Sequence, residues 1–177
     1  MSRLKQTIVF AALAVACLAA PVVAQDGKNV ADAAEKNKYQ NAEVAPFTAQ
    51  EGVKITPEEL KALTDTVVRE LGEIRKFKQV LREGETPADA AAPTLKITGT
   101  VVKYKAGSRA KRYLVGFGAG KSKLIADVKF IDRATGKVLY EQKADGDVVM
   151  GLFGGDSGGT KSEMAEQVAK FAKKKFF

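Results

Sequence analysis

Three stretches of this sequence carry residue types that could do chemistry. The run "VGFGAGKS" at 115–122 closes on Gly-Lys-Ser, as a phosphate-binding loop does. The run "GGDSGG" at 154–159 sets Ser157 in the Gly-Asp-Ser-Gly-Gly surroundings of a serine-protease nucleophile. Asp145, Asp147 and Asp156 are three carboxylates close in sequence, the type of group that holds a hard cation or assists hydrolysis.

The chemistry each of them needs is not supplied. A nucleotide loop has four residues between its first glycine and Gly-Lys-Ser, which would place that glycine at Val115. Starting from Gly116 leaves one residue too few, and the lysine should open a helix whose amides face the phosphate. The residues after Ser122 alternate like a strand instead. An attacking Ser157 needs a base to take its proton and a group to orient that base. The chain has no histidine, so Lys161 is the one base at hand. A metal site would be confined to oxygen ligands and to Ca²⁺ or Mg²⁺. No twelve-residue calcium loop fits the three aspartates. The expectation is a chain without catalysis, cofactor or metal, with hydrolysis by Ser157 or by the Asp145/Asp147/Asp156 group as the alternative.

The N-terminus bears on compartment. Arg3 and Lys5 precede an apolar run from Thr7 to Ala20, and Val22-Val23-Ala24 puts compact residues before a cut between Ala24 and Gln25. This is the pattern of a secretory signal peptide over residues 1–24, and the periplasm is the expected destination. "LAVAC" offers a competing reading, lipidation at Cys17, but the sequence stays apolar after the cysteine, where a mature lipoprotein turns polar. Cleavage at Ala24 leaves no cysteine, so no disulfide, and takes the formal charge from +8 to +6. No transmembrane span is expected in the mature chain, whose length suits one domain.

Residues 25–41 are polar and without period, which predicts a flexible lead-in; residues 42–177 form the domain. "AEVAPF" (42–47) is a short strand candidate. Thr56, Pro57 and Glu59 are a capping box with proline at the first helical position. Leu60, Leu63, Val67, Leu71 and Ile74 then make one apolar stripe. "FKQVL" (77–81) reads as a strand, and a loop rich in small residues comes next. From Thr94 the period changes to two. "TLKITGTVVKYK", "KLIADVKFID" and "KVLYEQKADGDVVM" read as a three-stranded antiparallel meander, with "DRATGK" as the hairpin turn. A glycine-rich loop leads to a last helix capped by Thr160 and Glu163, with Ala165, Val168, Ala169 and Ala172 on one side. The expected class is α+β: a β-α-β unit, then the meander, then a C-terminal helix packed on one mixed sheet.

Within 112–120, Tyr113, Val115, Phe117 and Ala119 alternate with Leu114, Gly116, Gly118 and Gly120. The next strand carries its apolar residues at even numbers, so the faces must switch near residue 120. Glycine permits that switch and lets another backbone approach closely. The run Arg112 to Gly120, then Val128 to Asp132, Thr135 to Leu139 and Gly154-Gly155, resembles the DUF4410 family of exported bacterial proteins over roughly 44–175. That resemblance implies a small envelope α/β protein, with many members predicted lipoproteins and no assigned activity, and marks Gly116, Gly118, Gly120, Gly154 and Gly155 as structural.

Charge is concentrated around the same segment. Lys103, Lys105, Arg109, Lys111 and Arg112 fall near one hairpin end with Tyr104 and Tyr113 interleaved. The functional reading is a surface for anionic lipid or lipopolysaccharide, or for an envelope protein. Export argues against nucleic acid. The C-terminal "AKFAKKKFF" places Lys173, Lys174 and Lys175 at the negative end of a helix dipole, with Phe171, Phe176 and Phe177 available to a membrane interface or a partner groove.

Overall fold

The computed structural model describes residues 36–106, 122–147 and 157–177. Strand β1 (Asn41–Val44) is broken by Pro46 and continues as β2 (Thr48–Ala49), and helix α1 spans Pro57–Glu73. Strand β3 (Gln79–Arg82) and the meander β4 (Thr94–Lys105), β5 (Lys123–Asp132) and β6 (Val138–Asp147) come next, and helix α2 is Ser157–Phe176. The sheet order is β3-β1-β4-β5-β6, with β2 also pairing β4. β1 is parallel to both β3 and β4, and the meander pairs are antiparallel. The α+β class, the β-α-β unit and the meander are thus present.

The capping box at α1 forms on both sides. The Thr56 hydroxyl accepts from the Glu59 amide, and the Glu59 carboxylate accepts from the Thr56 amide. Leu63, Val67 and Leu71 are fully buried, and Leu60 and Ile74 flank them at the rim of the core. From α2, Ala165, Val168, Ala169 and Ala172 are buried as the spacing requires. These stripes cover one face of the sheet, where Ala42, Val44, Leu95, Ile97, Leu124, Ala126, Val128 and Phe130 point. The other face carries Thr98, Thr100, Asp127, Lys129, Glu141 and Lys143. Cross-strand pairs Lys129–Glu141 at 3.0 Å and Lys143–Asp127 at 3.8 Å balance charge there.

Two expectations are corrected. The lead-in is tied down before residue 41: Tyr39 is buried, and the Asn37 amide donates to the Phe176 carbonyl at 2.6 Å. An aromatic among polar neighbours carries no period, so periodicity missed it. Thr160 does not cap α2, because the helix already begins at Ser157 and Thr160 lies buried one turn on. The expected switch of face near residue 120 lies outside the described residues. A register shift at Val102 turns the faces within β4 instead, so that Tyr104 pairs with Leu124 on the helix side.

Two glycines of the described sheet permit close approach. A Cβ on Gly99 would lie 2.0 Å from the Phe47 ring, and one on Gly146 would lie 2.1 Å from the Thr160 carbonyl oxygen. Phe47 follows the Pro46 break and its amide donates to the Thr64 hydroxyl on α1, so Gly99 makes room for the link between β1 and α1.

Candidate functional site

The last residue of the "GKS" run does not face a ligand. Ser122 is buried, and its hydroxyl pairs with the Thr160 hydroxyl. Gly146 on β6 lies against the Thr160 carbonyl, so the N-terminal part of α2 seats directly on the start of β5 and the end of β6. The serine that suggests a nucleotide thus joins sheet to helix. Ser157 opens α2, and Lys161, one turn later, is buried. Among the described residues no carboxylate pairs with Lys161. In the backbone register of β6, Asp145 stands opposite Ile125 and Asp147 opposite Lys123. Gly154, Gly155 and Asp156 lie outside the described residues. Among the described residues, no three acids, histidines or cysteines come together as metal ligands would.

Of the basic cluster, the structure describes Lys103 and Lys105. Both are exposed, on the face away from the helices, where Lys103 pairs with Ile125 and Lys105 with Lys123. Lys123 thus joins them, brought in by the antiparallel register. Tyr104 points the other way, and its hydroxyl donates to the Glu59 carboxylate of the α1 capping box. It therefore does not stack between the two lysines, because strand neighbours face opposite sides. On its other side Lys123 stands opposite Asp147 of β6 in the ladder. Arg109, Lys111, Arg112, Tyr113, Gly116, Gly118 and Gly120 lie outside the described residues. They belong to the connection that leaves the sheet at Lys105 and returns at Lys123. Cys17, Ala24 and Gln25 are likewise outside.

The opposite end of the sheet contains an ionic cluster that sequence reasoning missed. Asp132, buried at the end of β5, accepts from Lys38 at 2.9 Å and from the Tyr39 hydroxyl at 2.9 Å. Its second oxygen accepts the Ala134 and Thr135 amides and so shapes the hairpin turn. The Lys38 bond first, then those from Tyr39 and the turn, hold its carboxyl well below the usual range against the opposing effect of burial. A depressed carboxylate stabilises the fold above its unfolded value of about 4, and that stability is lost as the pH falls below it. Asp132→Asn is expected to cost about 2 kcal/mol near neutrality. The cost should shrink in acid, which urea denaturation of both proteins at the two pH values measures. Nearby, the buried Glu43 pairs with Arg133 at 3.1 Å and Lys96 at 3.8 Å, linking β1, β4 and the turn. Asp132 opens the hairpin turn that the sequence marks, but only the fold brings Lys38 and Tyr39 to it, and Glu43 stands in no motif.

The C-terminal aromatics are not free for a membrane as a group. Phe176 is fully buried against Tyr39, Phe130 and Tyr140. Phe171 stacks on Phe130 at 5.0 Å. Phe177 is half-buried, edge-on to Phe77 at 5.1 Å. No helix among the described residues is long and apolar enough to cross a membrane.

Solved structures share this architecture. The PelC dodecamer from Paraburkholderia phytofirmans is 15% identical at TM-score 0.52, over 81% of this chain and 90% of that one. A leucine-to-methionine variant of that dodecamer is 12% identical at TM-score 0.52, over 75% and 86%. Protein XCC0632 from Xanthomonas campestris, assigned to DUF330, is 13% identical at TM-score 0.45, over 78% and 83%. At these identities the likeness to the PelC structures is one of fold. No curated protein matches the sequence. The model of the domain of unknown function DUF4410 matches residues 23–151, from the end of the leader-like segment through the meander, and the chain belongs to that family.

Proposed function

We propose that this protein is a non-catalytic, exported domain of the bacterial envelope that binds an anionic partner surface through the β4–β5 end of its sheet. The observation that carries the reading is the register that sets Lys105 opposite Lys123, with Lys103 beside them, on the face away from the helices. The connection between these strands adds Arg109, Lys111, Arg112 and Lys121. Farther along this face opposite charges meet, Lys129 with Glu141 and Lys143 with Asp127. The leader-like N-terminus supports export, and the buried pair with Thr160 gives Ser122, the serine that ends the glycine-rich run, a structural reason.

The partner is an anionic lipid or lipopolysaccharide surface, or an acidic envelope protein. Lys111→Glu/Arg112→Glu is expected to weaken capture on anionic vesicles by tenfold or more, while Ser157→Ala leaves it unchanged. The same preparation should remain unlabelled by a serine-reactive probe. Labelling at Ser157, or capture insensitive to the charge reversals, would point to the hydrolytic reading.

A further inference from the structure

We propose that the other end of the molecule, around Phe177, is a second docking surface, one for the phosphate layer of an anionic lipid membrane. Separate segments deliver cations to it: Lys76 ahead of β3 and Lys173 and Lys174 at the end of α2 line it, and Lys36 precedes Asn37, whose amide donates to the Phe176 carbonyl. The dipole of α2 accounts for the lysines of its own last turn. It gives no reason for those ahead of β3 or β1, which belong to other elements. The acids close by are engaged, since Asp132 holds Lys38 at 2.9 Å and Glu166 holds Lys170 at 2.7 Å. Among the described residues no carboxylate pairs with Lys76, Lys78, Lys173 or Lys174.

Lys76, Lys173 and Lys174 border an apolar centre. A cavity of about 440 Å³ is lined by Lys76, Lys170, Lys173, Lys174 and the Phe177 ring. The Lys76 ammonium lies 6.0 Å from the centre of that ring. Ammonium groups at a rim and a phenyl ring within it match a headgroup layer, where phosphates meet the first methylenes of the acyl chains. A small soluble anion would use the ammonium groups and leave the ring without a role. β4 carries this end of the sheet roughly 40 Å from Lys105, several screening lengths away, so the two cationic ends act independently.

The chain has no tryptophan, so Phe177→Trp reports on this site alone. Mixed with phosphatidylglycerol vesicles, the mature variant is expected to shift its emission to the blue and be quenched by brominated lipid. Phosphatidylcholine vesicles should do neither. Adding Lys173→Glu/Lys174→Glu, both exposed positions, should raise the lipid needed by roughly 25-fold, about fivefold per lysine before the reversal itself is counted. Adding Lys103→Glu/Lys105→Glu should leave the shift in place, even if binding at that end is lost. No shift with phosphatidylglycerol, an unchanged midpoint in Lys173→Glu/Lys174→Glu, or an equal shift from inorganic phosphate would overturn the proposal. A thermal melt of the Lys103→Glu/Lys105→Glu variant with and without phosphatidylglycerol vesicles provides a second measurement that needs no tryptophan. Protection that is lost when Lys173→Glu/Lys174→Glu is added supports the proposal, and equal protection with and without those two changes counts against it.

Discussion

Gly146→Ala is expected to unseat α2 and cost about 3 kcal/mol or more, a large share of the 5–15 kcal/mol that holds a domain of this size. The added Cβ would lie 2.1 Å from the Thr160 carbonyl oxygen and 3.2 Å from the Thr160 Cγ2. A backbone oxygen inside a helix cannot rotate aside, so relief requires moving the helix or bending β6. Either movement also pulls the Thr160 hydroxyl away from buried Ser122. Both hydroxyls would then lose a partner out of reach of water, which adds to the cost. Gly72→Ala is the control, because nothing lies within 4 Å of a Cβ there. Near the end of α1 it should be neutral or stabilise by up to about 1 kcal/mol. Urea midpoints of the two variants against the unmutated chain measure the difference.

The second large effect is expected at Phe176→Ala, about 3–5 kcal/mol. The ring is fully buried, with centroids of Tyr39, Phe130 and Tyr140 at 5.6, 5.8 and 5.5 Å. Its removal leaves a cavity where three segments far apart in sequence meet. The tie between Asn37 and the Phe176 carbonyl weakens as the helix end loosens, so the N-terminal strap should become sensitive to protease. Phe177→Ala should cost much less, since that ring is half-buried and, among the described aromatics, meets Phe77 alone. A comparable cost for the two alanines would show that the last turn of α2 does not divide into a core residue and a surface residue. That division is what assigns Phe176 to stability and leaves Phe177 to the membrane.

The regular elements were legible because local pattern specifies them. Thr56, Pro57 and Glu59 start a helix by their own hydrogen bonds, whatever packs on it. The period-two stretches from Thr94, Lys123 and Val138 become strands over the expected residues. Thr160 deceived because a cap and an interior threonine have the same sequence signature, and the seat of α2 on Gly146 decides between them. The face of Tyr104 was hidden for a similar reason, because a bulge at Val102 reverses the parity that alternation assumes. The cationic patch was legible as charge, with Lys103 and Lys105 named at the outset. The contribution of Lys123 required the register, and the ring of lysines about Phe177 required the tertiary fold.

The central claim is that cations at the β4–β5 end engage an anionic envelope surface. Its most direct test is the affinity of the mature chain for anionic vesicles measured across a salt series, beside that of Lys111→Glu/Arg112→Glu. Exposed charges are screened by salt. The unmutated chain should therefore lose affinity steeply as salt rises, and the variant should start weaker and fall along a shallower line. Binding indifferent both to salt and to those two substitutions would contradict the account.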